Sequence, residues 1–104
     1  SLWISVKQFR KYWKPKSTVH SFSNAYYKKN HKAIYNRNIF KGDIVIFHKG
    51  VANFVTIPTH TMIISAYDSK NKDFKLAGHS RVRKAYPLLK AINNYSQIEF
   101  LVIK

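Results

Sequence analysis

His60 and His79 are the side chains whose type and spacing could do chemistry in this chain of 104 residues. A histidine is the natural general base near neutral pH. It works best when its second ring nitrogen is held by another polar group, which fixes the tautomer and stabilises the imidazolium formed during reaction. Between the two lies Asp68-Ser69-Lys70-Asn71-Lys72-Asp73, a polar turn cluster flanked by Met62-Ile63-Ile64 and by Phe74-Lys75-Leu76, and this pattern predicts a hairpin. A hairpin centred near Lys70-Asn71 pairs residues whose numbers sum to about 141, which sets His60 across from the stretch His79 to Arg81. His60 is then a candidate base and His79 its orienting partner. Arg81, Arg83, Lys84 and Lys90 form a basic cluster just beyond them, suited to drawing in an anionic ligand.

The chain has no cysteine, which removes disulfides, thiolate metal sites and thiol catalysis by these residues acting alone. His48, His60 and His79 could together offer three imidazoles to zinc, although their scattered spacing is unlike a zinc motif. With three glycines in all, no Gly-rich phosphate loop can be built. No cofactor and no metal is called for. His20 and His31, set among Ser, Lys and Asn, receive no role.

Nineteen Lys and Arg stand against Asp43, Asp68, Asp73 and Glu99, for a net charge of +15. Such a field attracts polyanions in a salt-dependent way. Most of these cations are lysines spread along the chain, and only Arg10, Arg37, Arg81 and Arg83 could grip phosphate bidentately, which argues against specific nucleic-acid reading. No apolar run approaches the roughly 20 residues of a transmembrane helix, and no signal-peptide pattern is visible, so a soluble chain is expected. Length and an apolar fraction of 45% predict a single domain over residues 1–104.

The elements that must position the histidines are legible in part. Leu2, Val6, Phe9 and Trp13 repeat at helical spacing, with Ser1 as a candidate cap and Pro15 as a stop. Lys14 to Thr18 reads as a basic turn. Ser23 caps a second helix to about Asn30, with Ala25 and Tyr26 available to the core, while His31 to Ile39 has no clear period. Lys41-Gly42-Asp43 turns into Ile44-Val45-Ile46-Phe47, a central strand. Lys49-Gly50 reads as a further turn, and Val51 to Ile57 as a loop insertion or edge strand ended by Pro58. A helical turn is expected around Leu88 to Ile92, and a last strand over Gln97 to Ile103. This order predicts an α+β fold, with one or two N-terminal helices packed on an antiparallel sheet of about four to five strands.

The helix bearing Trp3, Val6, Phe9, Tyr12 and Trp13 is followed by Lys41-Gly42-Asp43-Ile44-Val45, Thr59-His60-Thr61-Met62-Ile63-Ile64 and Gly78-His79-Ser80. In order and spacing these segments resemble the C-terminal part of an amidase domain of Gram-positive bacteria, a relative of papain-like peptidoglycan hydrolases. The resemblance implies a papain-like fold, with His60 in the place of the catalytic histidine and His79, or else Ser80, in that of the third polar residue. Asp43 would be the structural acid of the Gly-Asp turn. The family's nucleophile lies at a Cys-Thr-Asn-Phe-Val-Ser-like helix start upstream of the tryptophan helix, which these residues do not include. The expectation is therefore the histidine-bearing portion of a peptidoglycan amidase, secreted or associated with the cell wall. It would be inactive alone unless a partner segment or chain supplies the cysteine, and drawn by its charge to anionic cell-wall polymer. The alternative is a non-catalytic basic module for anionic cell-wall polymer, lipid or nucleic acid.

Overall fold

The computed structural model describes residues 5–78 and 85–104. It is an α+β fold whose strands form one antiparallel sheet with neighbours in the order β1-β6-β2-β3-β4-β5. In chain order the elements are α1 (Val6–Trp13), β1 (Ser17–Ser23), α2 (Asn24–Tyr35), β2 (Ile44–Ala52), β3 (Val55–Asp68), β4 (Asp73–Ala77), β5 (Tyr86–Pro87), α3 (Leu88–Ala91) and β6 (Gln97–Ile103). Six strands exceed the four or five expected. The helices are also placed differently: only α1 precedes the sheet, α2 follows its first strand, and α3 leads into its last.

The extra strand at the start is β1, which begins within the expected Lys14–Thr18 turn and runs on to Ser23. Its two large apolar residues, Val19 and Phe22, are three apart and therefore point to opposite faces, each against a different core. An edge strand with helices on both sides shows no alternation of period two, so the pattern that reveals a half-buried strand is missing. β5 is too short to carry a pattern at all.

Alternation along the central strands builds the two cores. Val45, Phe47, Met62, Ile64, Leu76, Ile98 and Phe100 turn one face to Tyr27 and Ile34 of α2 and to Leu88 and Ala91 of α3. Ile44, Ile46 and Leu101 turn the other face to Val6, Phe9 and Trp13 of α1. The apolar stripe of α1 is thus used as expected, but its cap is Ser5. The Ser5 hydroxyl accepts from the Gln8 backbone while the Gln8 side chain accepts from the Ser5 backbone, a reciprocal capping box. The expected roles of Ser1 and Leu2 lie outside the described residues. Ser23 caps α2 as expected, accepting from the Tyr26 backbone. The helix runs on to Tyr35 and buries Tyr27 and Ile34, whereas Ala25 and Tyr26 are exposed. Residues seven apart face one way on a helix, a stripe too sparse to show among the intervening lysines.

The β3–β4 hairpin has the expected register at its turn, with Asp68 opposite Asp73, Tyr67 opposite Phe74 and Ala66 opposite Lys75, before an irregularity at Ser65. The β2–β3 hairpin departs from expectation. Lys49-Gly50 is extended strand, the turn is at Asn53-Phe54, and Pro58 lies within β3 opposite His48. Proline lacks a ladder donor, but here it sits at the register shift between Phe47 and His48, the kind of bulge where a strand accommodates it.

Candidate functional site

His60 is positioned by the same bulge. Thr59 is the extra residue of β3, and its hydroxyl donates to the Phe47 carbonyl at 3.3 Å. His60 then falls directly opposite Phe47, on the face that carries the larger core. Its half-buried imidazole lies 5.7 Å from the Phe47 ring and nearly parallel to Tyr95, with centroids 6.2 Å apart and planes 5° apart. Tyr95 itself packs on Phe47 at 4.7 Å, and the Lys49 ammonium lies 5.7 Å from the Tyr95 ring centroid. An imidazole packed against two aromatic rings that also pack on each other has fewer orientations open to it, which favours the preorganisation a positioned base requires. The β3–β4 ladder is described as far as Ile63 opposite Ala77. His79, the alternative Ser80, and the binding candidates Arg81, Arg83 and Lys84 lie outside the described residues.

The Gly-Asp turn that leads into β2 holds the sheet together where that strand begins. Gly42 has φ +95°, in the left-handed region that glycine enters at little cost. The buried Asp43 carboxylate accepts from the Phe40 backbone at 2.7 Å and from the Ile103 backbone at 3.2 Å. The Asp43 carbonyl and the Gly42 amide pair with Ile64. This is the structural role expected of Asp43, and it ties the start of β2 to β3 at Ile64 and to the end of β6 at Ile103.

The opposite face carries a cluster that sequence reasoning missed. Glu99, 4% exposed, projects from β6. Its Oε1 and Oε2 accept from Arg10 Nε at 2.6 Å and Nη2 at 2.9 Å, and its Oε1 is also 2.6 Å from His48 Nε2. His48 Nδ1 is 3.3 Å from the Thr56 hydroxyl, and Ser21 donates to Glu99 at 3.5 Å. Burial by itself pushes the Glu99 carboxyl up, but the hydrogen bonds and charges of Arg10 and His48 outweigh it and hold the group down at about 2. The hydrogen bond to Glu99 in turn holds the Arg10 guanidinium above its ordinary value, against a smaller opposing effect of burial. One signal was available: Glu99 is the chain's only glutamate and stands in the apolar run Ile98 to Ile103. A lone acid in such a run needs a buried cationic partner. The cluster also rules out a shared zinc site for His48 and His60. His48 is bound to Glu99 on the α1 side, whereas His60 stacks on Phe47 and Tyr95 on the other face. Among the described residues there is no group of three or more His, Cys, Asp or Glu side chains that could hold a metal ion.

The remaining carboxylates are engaged as well. Asp73 is buried, accepting from the Tyr27 hydroxyl at 2.9 Å and from the Leu89 backbone at 3.1 Å. Burial and the neighbouring Asp73 push the Tyr27 phenol well above its usual range. Asp68 binds both the backbone and the side chain of Asn71, whose hydrogen bonds pull its carboxyl down. A cavity of about 530 Å³ at the β1 edge is lined by Thr18, His20, Asn36, Arg37, Asn38 and Val102. Two strands separate β1 from β3 in the sheet, so this cavity does not belong to His60. Among the described residues no helix is long and apolar enough to cross a membrane.

A family model described as "Putative amidase domain" matches residues 1–103. Comparison with curated proteins and with solved structures gives no match.

Proposed function

Because the chain belongs to this amidase domain family over residues 1–103, we propose that it is the histidine-bearing portion of a papain-like amidase that cleaves peptide bonds of bacterial peptidoglycan. In this reading a partner segment or chain supplies the cysteine, and the protein works outside the cell or at its wall in a Gram-positive bacterium. The observation that carries the proposal is the setting of His60: a half-buried imidazole stacked on Tyr95 and Phe47, next to a bulge that fixes its face.

The chemistry assigns each atom a place. His60 takes the proton of the supplied thiol, and the thiolate attacks the carbonyl carbon of the amide. As the C–N bond breaks, the His60 imidazolium returns the proton to the departing amine, leaving an acyl thioester. Water then adds to the thioester with His60 again as base, releasing the carboxylate and restoring the thiol. His79 holds the imidazole in the required tautomer, and Arg81, Arg83 and Lys84 draw the anionic wall toward the site.

The test is to join or mix the chain with a Cys-bearing segment and follow new amino groups released from purified peptidoglycan. The chain alone is expected to show no turnover. In the reconstituted enzyme, His60→Asn should lower the rate about a hundredfold or more, with its unfolding midpoint near that of the parent. A His60→Asn rate equal to the parent's refutes the assignment.

A second reading, a non-catalytic module for anionic surfaces, is favoured by one observation. All four acidic side chains are hydrogen-bonded within the chain, and the nineteen cations leave an excess of +15 over them. It predicts salt-sensitive retention on polyanions that His60→Asn leaves unchanged.

A further inference from the structure

The β2–β3 hairpin outgrows its sheet. β6 accompanies β2 only as far as His48, opposite Gln97. Beyond that point β2 and β3 pair with each other, through Lys49–Ile57, Gly50–Thr56 and Ala52–Val55. The arm so formed is apolar where it has least to pack on: Val51 is 57% exposed, Val55 52%, Ile57 46%, and Phe54 at the tip 106%. Scattered exposed apolar residues are ordinary, but four on one projecting hairpin mark an interaction surface.

Phe54 makes the point sharper. Its φ is +60°, in the left-handed region. A hairpin turn there normally takes Gly or Asn, and an L residue with a large side chain costs about 1–2 kcal/mol. Among the described residues nothing offsets that cost, because the ring is fully exposed.

We propose that the tip of this hairpin inserts into the interfacial region of an anionic lipid bilayer. The occupant follows from two properties taken together. The net charge of +15, with every carboxylate internally engaged, complements an anionic surface. A hydrated polyanion would satisfy that charge yet leave Val51, Phe54, Val55 and Ile57 in water, whereas a bilayer interface takes both the cations and the apolar tip. The cationic-surface reading above supplies the charge half of this argument, and the hairpin supplies the other half.

The test uses the intact chain with vesicles of phosphatidylcholine alone or mixed with phosphatidylglycerol. Binding is followed by co-sedimentation, and tip depth by the emission of Phe54→Trp, corrected for the wild-type spectrum. Wild type should bind the mixed vesicles and not the neutral ones. Phe54→Gly should weaken that binding about tenfold or more, while its urea midpoint stays level or rises because glycine suits the positive φ. The Phe54→Trp signal should shift to the blue and be quenched by brominated acyl chains. Equal vesicle binding by Phe54→Gly, or a bound Phe54→Trp that brominated lipid does not quench, overturns the insertion and leaves the charge reading standing. Phe54-dependent self-association without lipid would assign the tip to a second copy, and also overturns it. Failure to bind any polyanion would sink the charge reading itself.

Discussion

Replacing Glu99 by Gln tests what fastens α1 to the sheet. No residue of α1 is fully buried, so Val6, Phe9 and Trp13 each supply less than the roughly 1.5–3 kcal/mol of a fully buried apolar side chain. The bidentate contact from Arg10 to Glu99 is the polar anchor of the same helix. The Glu99 carboxyl is held at about 2, against 4.5 for an unperturbed one. Converted at about 1.4 kcal/mol per pH unit, the native state is favoured by on the order of 3 kcal/mol when Glu99 is ionised. A group whose folded-state pKa is depressed contributes stability that is fully present above its unfolded value and is lost as pH falls through the folded one. Glu99 should therefore stabilise the fold above about pH 5 and cease to do so near pH 2. Urea unfolding of wild type and Glu99→Gln should differ by about 3 kcal/mol at pH 7, and the two curves should converge as pH falls from 5 to 2. The difference between them is the quantity to follow, because Asp68 also titrates below its ordinary value and slopes both curves alike. A constant difference across that range would show that the ionised carboxylate does not stabilise the fold through Arg10 and His48.

Two further substitutions probe single buried groups. The Thr61 hydroxyl is buried without a hydrogen-bond partner, so Thr61→Val, which keeps the β-branched shape, should raise stability by about 1 kcal/mol in urea unfolding. Tyr27→Phe removes the hydroxyl that donates to Asp73 at 2.9 Å, and with a buried carboxylate left one donor short it should destabilise by about 1–3 kcal/mol.

What was legible in the sequence was whatever one period or one turn encodes. The α1 stripe, the Gly-Asp turn and the β3–β4 register follow from local spacing, and the structure has them. What was hidden depends on partners distant in the chain. β1 takes its apolar residues on both faces because helices from either side cover it, and no local pattern records that. The β2–β3 turn was misplaced because Gly50 and Pro58 are punctuation in most contexts, yet a bulge absorbs the proline and the strand carries the glycine. Arg10 reads from the sequence only as one of four arginines able to grip phosphate. Its role depends on Glu99, 89 residues away, and ion pairs at that separation leave no trace in spacing. The site was legible to the same degree: the placing of His60 on the strand that leads into the β3–β4 hairpin was readable, although that strand starts at Val55 and not at His60, whereas its aromatic shelf, built from Phe47 and the distant Tyr95, was not.

The sheet divides its labour by face, and this decides how the candidate residues should be tested. His60 lies with Phe47 and Tyr95 on the side of the larger core, while Glu99, His48 and Arg10 lie on the side of α1. The two histidines come close along the strands because Phe47, the neighbour of His48, pairs with His60. Their side chains are nonetheless separated by the thickness of the sheet, since successive residues of a strand point to opposite faces. A substitution in the Glu99 cluster should therefore act on His60 chiefly through global stability. Under conditions where both proteins are folded, Glu99→Gln should leave the imidazole chemical shifts of His60 nearly unchanged in an NMR titration, whereas Tyr95→Leu, which removes a ring parallel to His60, should move them. The opposite pattern would mean that the cluster and the candidate base are coupled through β2, and the division by face would have to be abandoned.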